Sequence, residues 1–118
     1  DRDSEDLRRF ALQGIMLKLL PVLDHFDRAL KQMPKDLESN DWVKGVAAIE
    51  KDFAQKLAES GLQKFESLGQ QVDPLRHEVL SLAPGKEGEI LEVFEEGYEL
   101  LGKVVRPAKV LVGDGSAK

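Results

Sequence analysis

Leu19-Leu20-Pro21-Val22-Leu23-Asp24-His25-Phe26-Asp27-Arg28-Ala29-Leu30 is helical in pattern yet holds a proline near its start. Around it, Leu12, Met16, Leu19, Leu23, Phe26, Leu30 and Met33 step by 4, 3, 4, 3, 4 and 3 residues. That spacing is the a/d seam of a helix that packs along one stripe. Leu17, Leu20 and Val22 widen the stripe beyond a two-stranded coiled coil, so a bundle fits better. An amphipathic helix folded onto its own core would give the same heptads. Pro21 donates no helical hydrogen bond and crowds the Leu17 carbonyl, so it marks a kink or the first turn of a new helix. The heptad phase continues across it, and the expectation is a kink or short break with packing kept on both sides. Lys18, Asp24, Asp27, Arg28 and Lys31 fall off the seam and face water.

Beyond this stretch, Pro34 to Asp41 is a polar connection ending in Asn40 and Asp41, both good N-cap residues. Trp42, Val46, Ile49, Phe53 and Leu57 then mark a second amphipathic helix, with Gly61 placed to cap its C-terminus. A short polar link favours an antiparallel hairpin, and two hairpins from two chains would make a four-helix bundle. After Gly61 the period changes. Turn residues recur at Gly69, Asp73-Pro74, Pro84-Gly85, Gly88, Gly97, Gly102 and Pro107, and the apolar pieces between them are short. Val110 and Val112 alternate with Lys109 and Leu111 as in a strand, and Leu101-Gly102 sits like a two-residue hairpin turn. Only Glu89 to Glu96 could pass for a helix. The expected class is α+β: a helical dimerisation region at 1–61 and a small, mostly β domain at 62–118, with the residues from Gly113 onward frayed.

A chain of 118 residues fits one modest domain or two small units sharing a core, and dimerisation is a natural way to cover more apolar surface. The absence of cysteine excludes disulfides, thiolate nucleophiles and cysteine metal sites. A net charge of -5, with no basic cluster longer than Arg8-Arg9, argues against nucleic acid. No apolar run nears the ~20 residues of a membrane span, and no signal-peptide pattern opens the chain, which begins at Asp1.

Candidate chemistry is sparse. Asp24 and Asp27 share a helix face, but His25 points elsewhere and nothing completes a metal-ligand set; an Asp27–Lys31 pair on a solvated face is the ordinary reading. His77 and Glu78 are neighbours on a strand and point to opposite faces, so they do not cooperate as acid and base. His77 fits better as a hydrogen-bonding or packing residue where the β module begins. There is no phosphate loop, dinucleotide glycine pattern or Ser/His/Asp arrangement. Glu87, Glu89, Glu92, Glu95, Glu96 and Glu99 form an acidic run followed by Lys103, Arg106 and Lys109. It is either a solvated sheet surface or a charge-patterned interaction face. These readings describe a protein that binds rather than an enzyme, with no cofactor.

Five segments in order resemble the GrpE family, the nucleotide-exchange factors of DnaK-type chaperones. Leu19 to Leu30 resembles the helix with the LLPVLD motif, and Gly45-Val46-Ala47-Ala48-Ile49 the start of the next helix. Gly61-Leu62 with Val72-Asp73-Pro74-Leu75-Arg76-His77-Glu78 resembles the lead into the family's β domain. Gly97-Tyr98 and Arg106-Pro107-Ala108-Lys109-Val110 resemble its closing motifs. The resemblance implies a homodimer with a four-helix bundle and two β wings, one of which binds the ATPase domain of a DnaK-type chaperone and helps open its nucleotide cleft. It implies chaperone contacts at Val72, Pro74, Phe94, Lys103 and Val112, with Lys31 and Gln32 as weaker candidates. Phe94 and Val112 could equally be β-domain core. The dimer interface would use Leu12, Met16, Leu19, Leu23, Phe26, Leu30, Ile49 and Phe53. The setting it implies is a bacterial cytoplasm or a mitochondrial matrix.

Within these 118 residues no counterpart of the family's acidic N-terminal region and of most of its long helix is expected, so thermosensing and substrate-mimic roles are not carried over, and weaker dimerisation and chaperone binding are expected of this stretch. Lys109 stands where the family usually has an apolar residue. The alternative to an exchange factor is a dimeric helical scaffold or adaptor with no effect on nucleotides.

Overall fold

Helix α1 runs from Arg2 to Lys31 without interruption, with Pro21 inside it, in a computed structural model that describes residues 2–116. Of the kink or short break expected at Pro21, the break does not occur. Proline removes one hydrogen bond, but its fixed φ suits a helix, and buried Leu20 and Leu23 on either side hold the two halves in register. Met16, four residues before Leu20, is buried on the same face. A 3₁₀ turn at Lys35–Leu37 follows, and then helix α2, Asp41–Glu59. Asn40 caps α2: its side chain accepts the Val43 N–H at 3.1 Å. At the far end Gly61 takes φ 101° and donates its N–H to the Ala58 carbonyl at 3.0 Å, closing the helix as a left-handed glycine does. The two helices touch, and the chain divides into two compact units, Asp1–Gly61 and Leu62–Lys118.

The second unit is built from six described strands: β1 Leu62–Lys64, β2 His77–Ala83, β3 Ile90–Glu95, β4 Tyr98–Leu100, β5 Lys103–Arg106 and β6 Ala108–Gly113. They form two three-stranded sheets, ordered β1-β4-β5 and β2-β6-β3. In the second sheet β6 is central, parallel to β2 and antiparallel to β3. The stretch from Glu89 to Glu96 therefore holds strand β3, Ile90–Glu95, and not a helix. Ala108, Val110 and Val112 of β6 are buried with Phe65 and Ile90, and Val72, Val93 and Val104 pack against this cluster. Fully burying a side chain such as Val110, Val112, Phe65 or Ile90 contributes roughly 1.5–3 kcal/mol, so this cluster organises the module.

The tail from Gly113 is tied down as far as it is described. Asp114 and Gly115 donate their N–H groups to the carbonyls of Ala83 and Gly85, each at 2.9 Å. The expectation of fraying is corrected there, because the glycine-rich sequence serves a close backbone approach; Ala117 and Lys118 lie outside the described residues.

The β4–β5 hairpin turns on Leu101-Gly102, with φ of 52° and 88°. Both central residues of a type I′ turn need positive φ, and Leu101 is the one non-glycine residue so placed among those described. An L-residue without a short polar side chain bears about 1 kcal/mol of strain there. Leu101→Asn should therefore raise the unfolding free energy of the module by up to about 1 kcal/mol, read as a higher melting temperature; an unchanged or lower one would show that Leu101 bears no such strain.

Candidate interaction surfaces

Val72 and Pro74 sit on the loop that leads into β2. The loop is built around Asp73. Its side chain accepts the Leu75 N–H at 3.0 Å, and its carbonyl accepts the N–H groups of Arg76 and His77 at 2.9 and 2.8 Å. Val72 is half-buried and anchored by its own N–H to the Gly88 carbonyl, at 2.8 Å, whereas Pro74 is exposed. His77, buried at the start of β2, closes the loop from beneath. Its Nδ1 accepts the Asp73 N–H at 2.9 Å, and its Nε2 lies 3.2 Å from Ser67 Oγ. The ring meets Phe65 edge to face, with centroids 6.0 Å apart. Burial holds the His77 ring below its ordinary pKa of 6.5, more strongly than the Asp73 carboxylate raises it. The structural role expected for His77 is thus the one it has, and Glu78 beside it is exposed.

Phe94 is 46% exposed, and the reason is a slip in register. The ladder between β3 and β6 shifts between Ile90 and Glu92, so Ile90 and Val93 both reach the core although three residues apart, and Phe94, next to Val93, turns outward. Lys103, at the start of β5, is also exposed. Val112 is not: at 4% exposure it belongs to the core, and of the five contacts implied by resemblance it alone offers no surface.

The acidic run resolves into specific pairs. Glu95 lies 3.7 Å from Arg106 and 3.6 Å from Lys109, and Glu99 lies 3.6 Å from Arg76. Arg106 also donates from Nε and from a terminal nitrogen to the Glu96 carbonyl, at 3.1 and 2.8 Å, while stacking over Tyr98. This segment is therefore a laced surface rather than one continuous acidic patch, with Glu87 and Glu92 left exposed. Sequence reasoning missed Arg106 as the clamp of the β3–β4 bend; ten residues separate it from Glu96, and no local periodicity links them.

In the helical unit, two residues of the expected dimer seam, Met16 and Leu23, are already buried within the chain. Leu12, Leu19, Phe26, Leu30 and Phe53 are half-buried, and Ile49 is 62% exposed. The larger uncovered apolar side chains are Leu7, Phe10, Ile15, Val22 and Trp42, each more than half exposed. Ile15, Val22 and Ala29 recur every seven residues beside the buried stripe, a second seam that the first had masked. Near the turn, Phe26, Leu30 and Met33 face Trp42, Val43 and Val46 across an apolar groove of about 620 Å³. Asp27 and Lys31 pair at 3.1 Å, as their spacing suggests, and no group of three metal-ligating side chains gathers among the described residues. No helix there is long and apolar enough to cross a membrane.

The family model for GrpE matches residues 1–114. The chain belongs to the GrpE family. It is 35% identical to Protein GrpE of Brachyspira hyodysenteriae over 98% of its own length and 60% of that protein's. With Protein GrpE of Francisella philomiragia it shares 35% identity over 95% of the chain and 60% of the relative, and with that of Francisella tularensis 33% over 95% and 59%. The chain thus spans about 60% of the length of these GrpE relatives. All five segments that resemble GrpE lie inside the matched stretch, and several now have a structural reason. A side chain at Gly97 would strike the Phe65 ring, Arg106 clamps the Glu96 carbonyl, and His77 shapes the loop before it.

Proposed function

We propose that the chain is a nucleotide-exchange cochaperone that binds the ATPase domain of a DnaK-type chaperone through its β module and promotes ADP release. The observation that carries this reading is the GrpE match over residues 1–114, combined with exposed Phe94, Lys103 and Pro74 on the module. Phe94 supplies apolar contact, Lys103 a positive charge for an acidic patch, and the Val72–Pro74 loop a rigid rim. Val112 acts from beneath by holding β6 in place. No covalent step is required. The factor has only to bind the open nucleotide cleft more tightly than the closed, ADP-filled one. Linkage makes the effect reciprocal: the factor by which it weakens ADP binding is the factor by which ADP weakens its own. Direct binding tests this. The nucleotide-free ATPase domain should bind the chain at least about fivefold more tightly than the ADP-loaded domain. Equal affinity for both would leave the scaffold reading.

The working form in this proposal is a homodimer, in a bacterial cytoplasm. Its support is the uncovered apolar surface of the helical unit, where Ile15, Val22, Trp42 and Ile49 await a partner. Val22→Glu leaves the buried stripe untouched and places a charge on the second seam. It should raise the dimer dissociation constant by about a hundredfold with helicity unchanged, measured by sedimentation across a concentration series. Trp42, the only tryptophan in the sequence, gives an independent emission signal for association. A parent chain that stays monomeric at tens of micromolar would refute the dimer.

A further inference from the structure

The hydrogen bonds of His77 fix which of its nitrogens carries the proton. A backbone N–H only donates, so Nδ1, which faces the Asp73 N–H at 2.9 Å, must present its lone pair. The neutral ring proton then sits on Nε2 and is donated to Ser67 Oγ. Protonation would set an Nδ1–H against the Asp73 N–H, donor against donor, in a buried site. The charged groups around the ring divide. The Asp73 carboxylate favours the cation; the Arg76 guanidinium, 5.1 Å from the Phe65 ring centre and tethered to Glu99, opposes it. Phe65, Ser67 and Ala108, the β6 residue opposite His77, bring no charge, and Glu78 is on the other face beside Lys109.

We propose that neutral His77 is the positioning residue of the Val72–Pro74 loop, and that protonation of its ring frees the loop and weakens whatever engages it. The link to a chaperone rests on the reading of Val72 and Pro74 as contacts; the link between ring and loop does not. The direction in pH follows from burial. The ring's pKa lies below 6.5 in the folded chain, so its contribution to loop stability is complete above 6.5 and is lost as pH falls below that value and through the folded pKa.

The test is a nuclear magnetic resonance titration of the whole chain from neutral pH to about pH 5, following the His77 ring nitrogens and the exchange of backbone amides. At neutral pH the ring should show the Nε2–H tautomer. On acidification the Asp73 amide should lose at least about tenfold in protection at the midpoint of the His77 ring, while the core amide of Val110 keeps its own. The opposite tautomer, a midpoint at or above 6.5, or an Asp73 amide indifferent to the ring would overturn the proposal. His77→Gln, which leaves Asp73 N–H without its acceptor, should bind a nucleotide-free DnaK-type ATPase domain about fivefold more weakly at neutral pH and lose the acid-dependent step. Undiminished binding by a variant whose Asp73 amide is deprotected would overturn the positioning role. A parent chain that binds no ATPase domain at neutral pH would sink the exchange-factor reading, and the ring–loop link would still be decided by the titration. Should His77→Gln fail to fold, the titration of the unaltered chain decides it alone.

Discussion

Adding one methyl group at Gly113 is expected to destabilise the β module by about 3 kcal/mol. Gly113 ends β6, and a Cβ there would land on the Lys86 carbonyl oxygen and within 2.9 Å of the Gly85 carbonyl carbon. Those are backbone atoms, held by the bonds from Gly88 N–H to the Gly113 carbonyl and from Gly115 N–H to the Gly85 carbonyl. No side chain can rotate to relieve the clash, so the strand end must move and expose Val112 and Ile90. In a module of this size the loss corresponds to a fall in melting temperature of roughly 15 °C. Gly45→Ala makes the contrast. Gly45 lies within α2 with nothing near its Cβ position, and alanine there should stabilise the helix by up to about 1 kcal/mol. Calorimetry of the two variants checks both signs. A Gly113→Ala variant that melts with the parent would show that the close approach of the 85–86 turn to β6 is wrong.

Lys103→Glu is expected to weaken binding to a DnaK-type ATPase domain by about tenfold or more, with the larger part of the loss in association rate and at low salt. Phe94→Ala should cost about tenfold as well, but through faster dissociation, since it removes apolar contact rather than long-range attraction. Both side chains are exposed, so the variants should melt within about 0.5 kcal/mol of the parent. That separation of binding from stability is what distinguishes a contact surface from a core. Wild-type affinity in both variants would assign the surface elsewhere on the chain.

The parts of the fold legible in the sequence are those set by local chemistry. The 4-3 stepping marked the apolar side of α1, though of its residues only Met16 and Leu23 are buried, with Leu20 from beside the seam; Asn40 and Gly61 marked both ends of α2, and Leu101-Gly102 marked the hairpin. Pro21 suggests a kink or short break because its local cost is plain, while the packing of Leu20 and Leu23 that keeps the helix continuous is tertiary. The outward turn of Phe94 was not legible, since a bulge depends on how β3 registers against β6, and the sequence alone leaves Phe94 and Val112 equivalent apolar strand residues. Their opposite fates, one exposed and one buried, are decided by that register. Trp42 and Ile49 lie on the apolar face that periodicity marks in α2, but periodicity finds a stripe without saying which helices cover it, and both are exposed. The Glu95–Arg106–Lys109 and Glu99–Arg76 pairs needed the strand order, which no spacing in the sequence encodes.

An exchange factor must speed the loss of nucleotide from its partner. The release rate of a fluorescent ADP analogue from a DnaK-type ATPase domain, with and without this chain, should rise at least about tenfold and lose most of that gain with Lys103→Glu. An unchanged release rate, from a chain shown to be folded, dimeric and bound to the ATPase domain, would contradict nucleotide exchange and leave a scaffold that binds without opening the cleft.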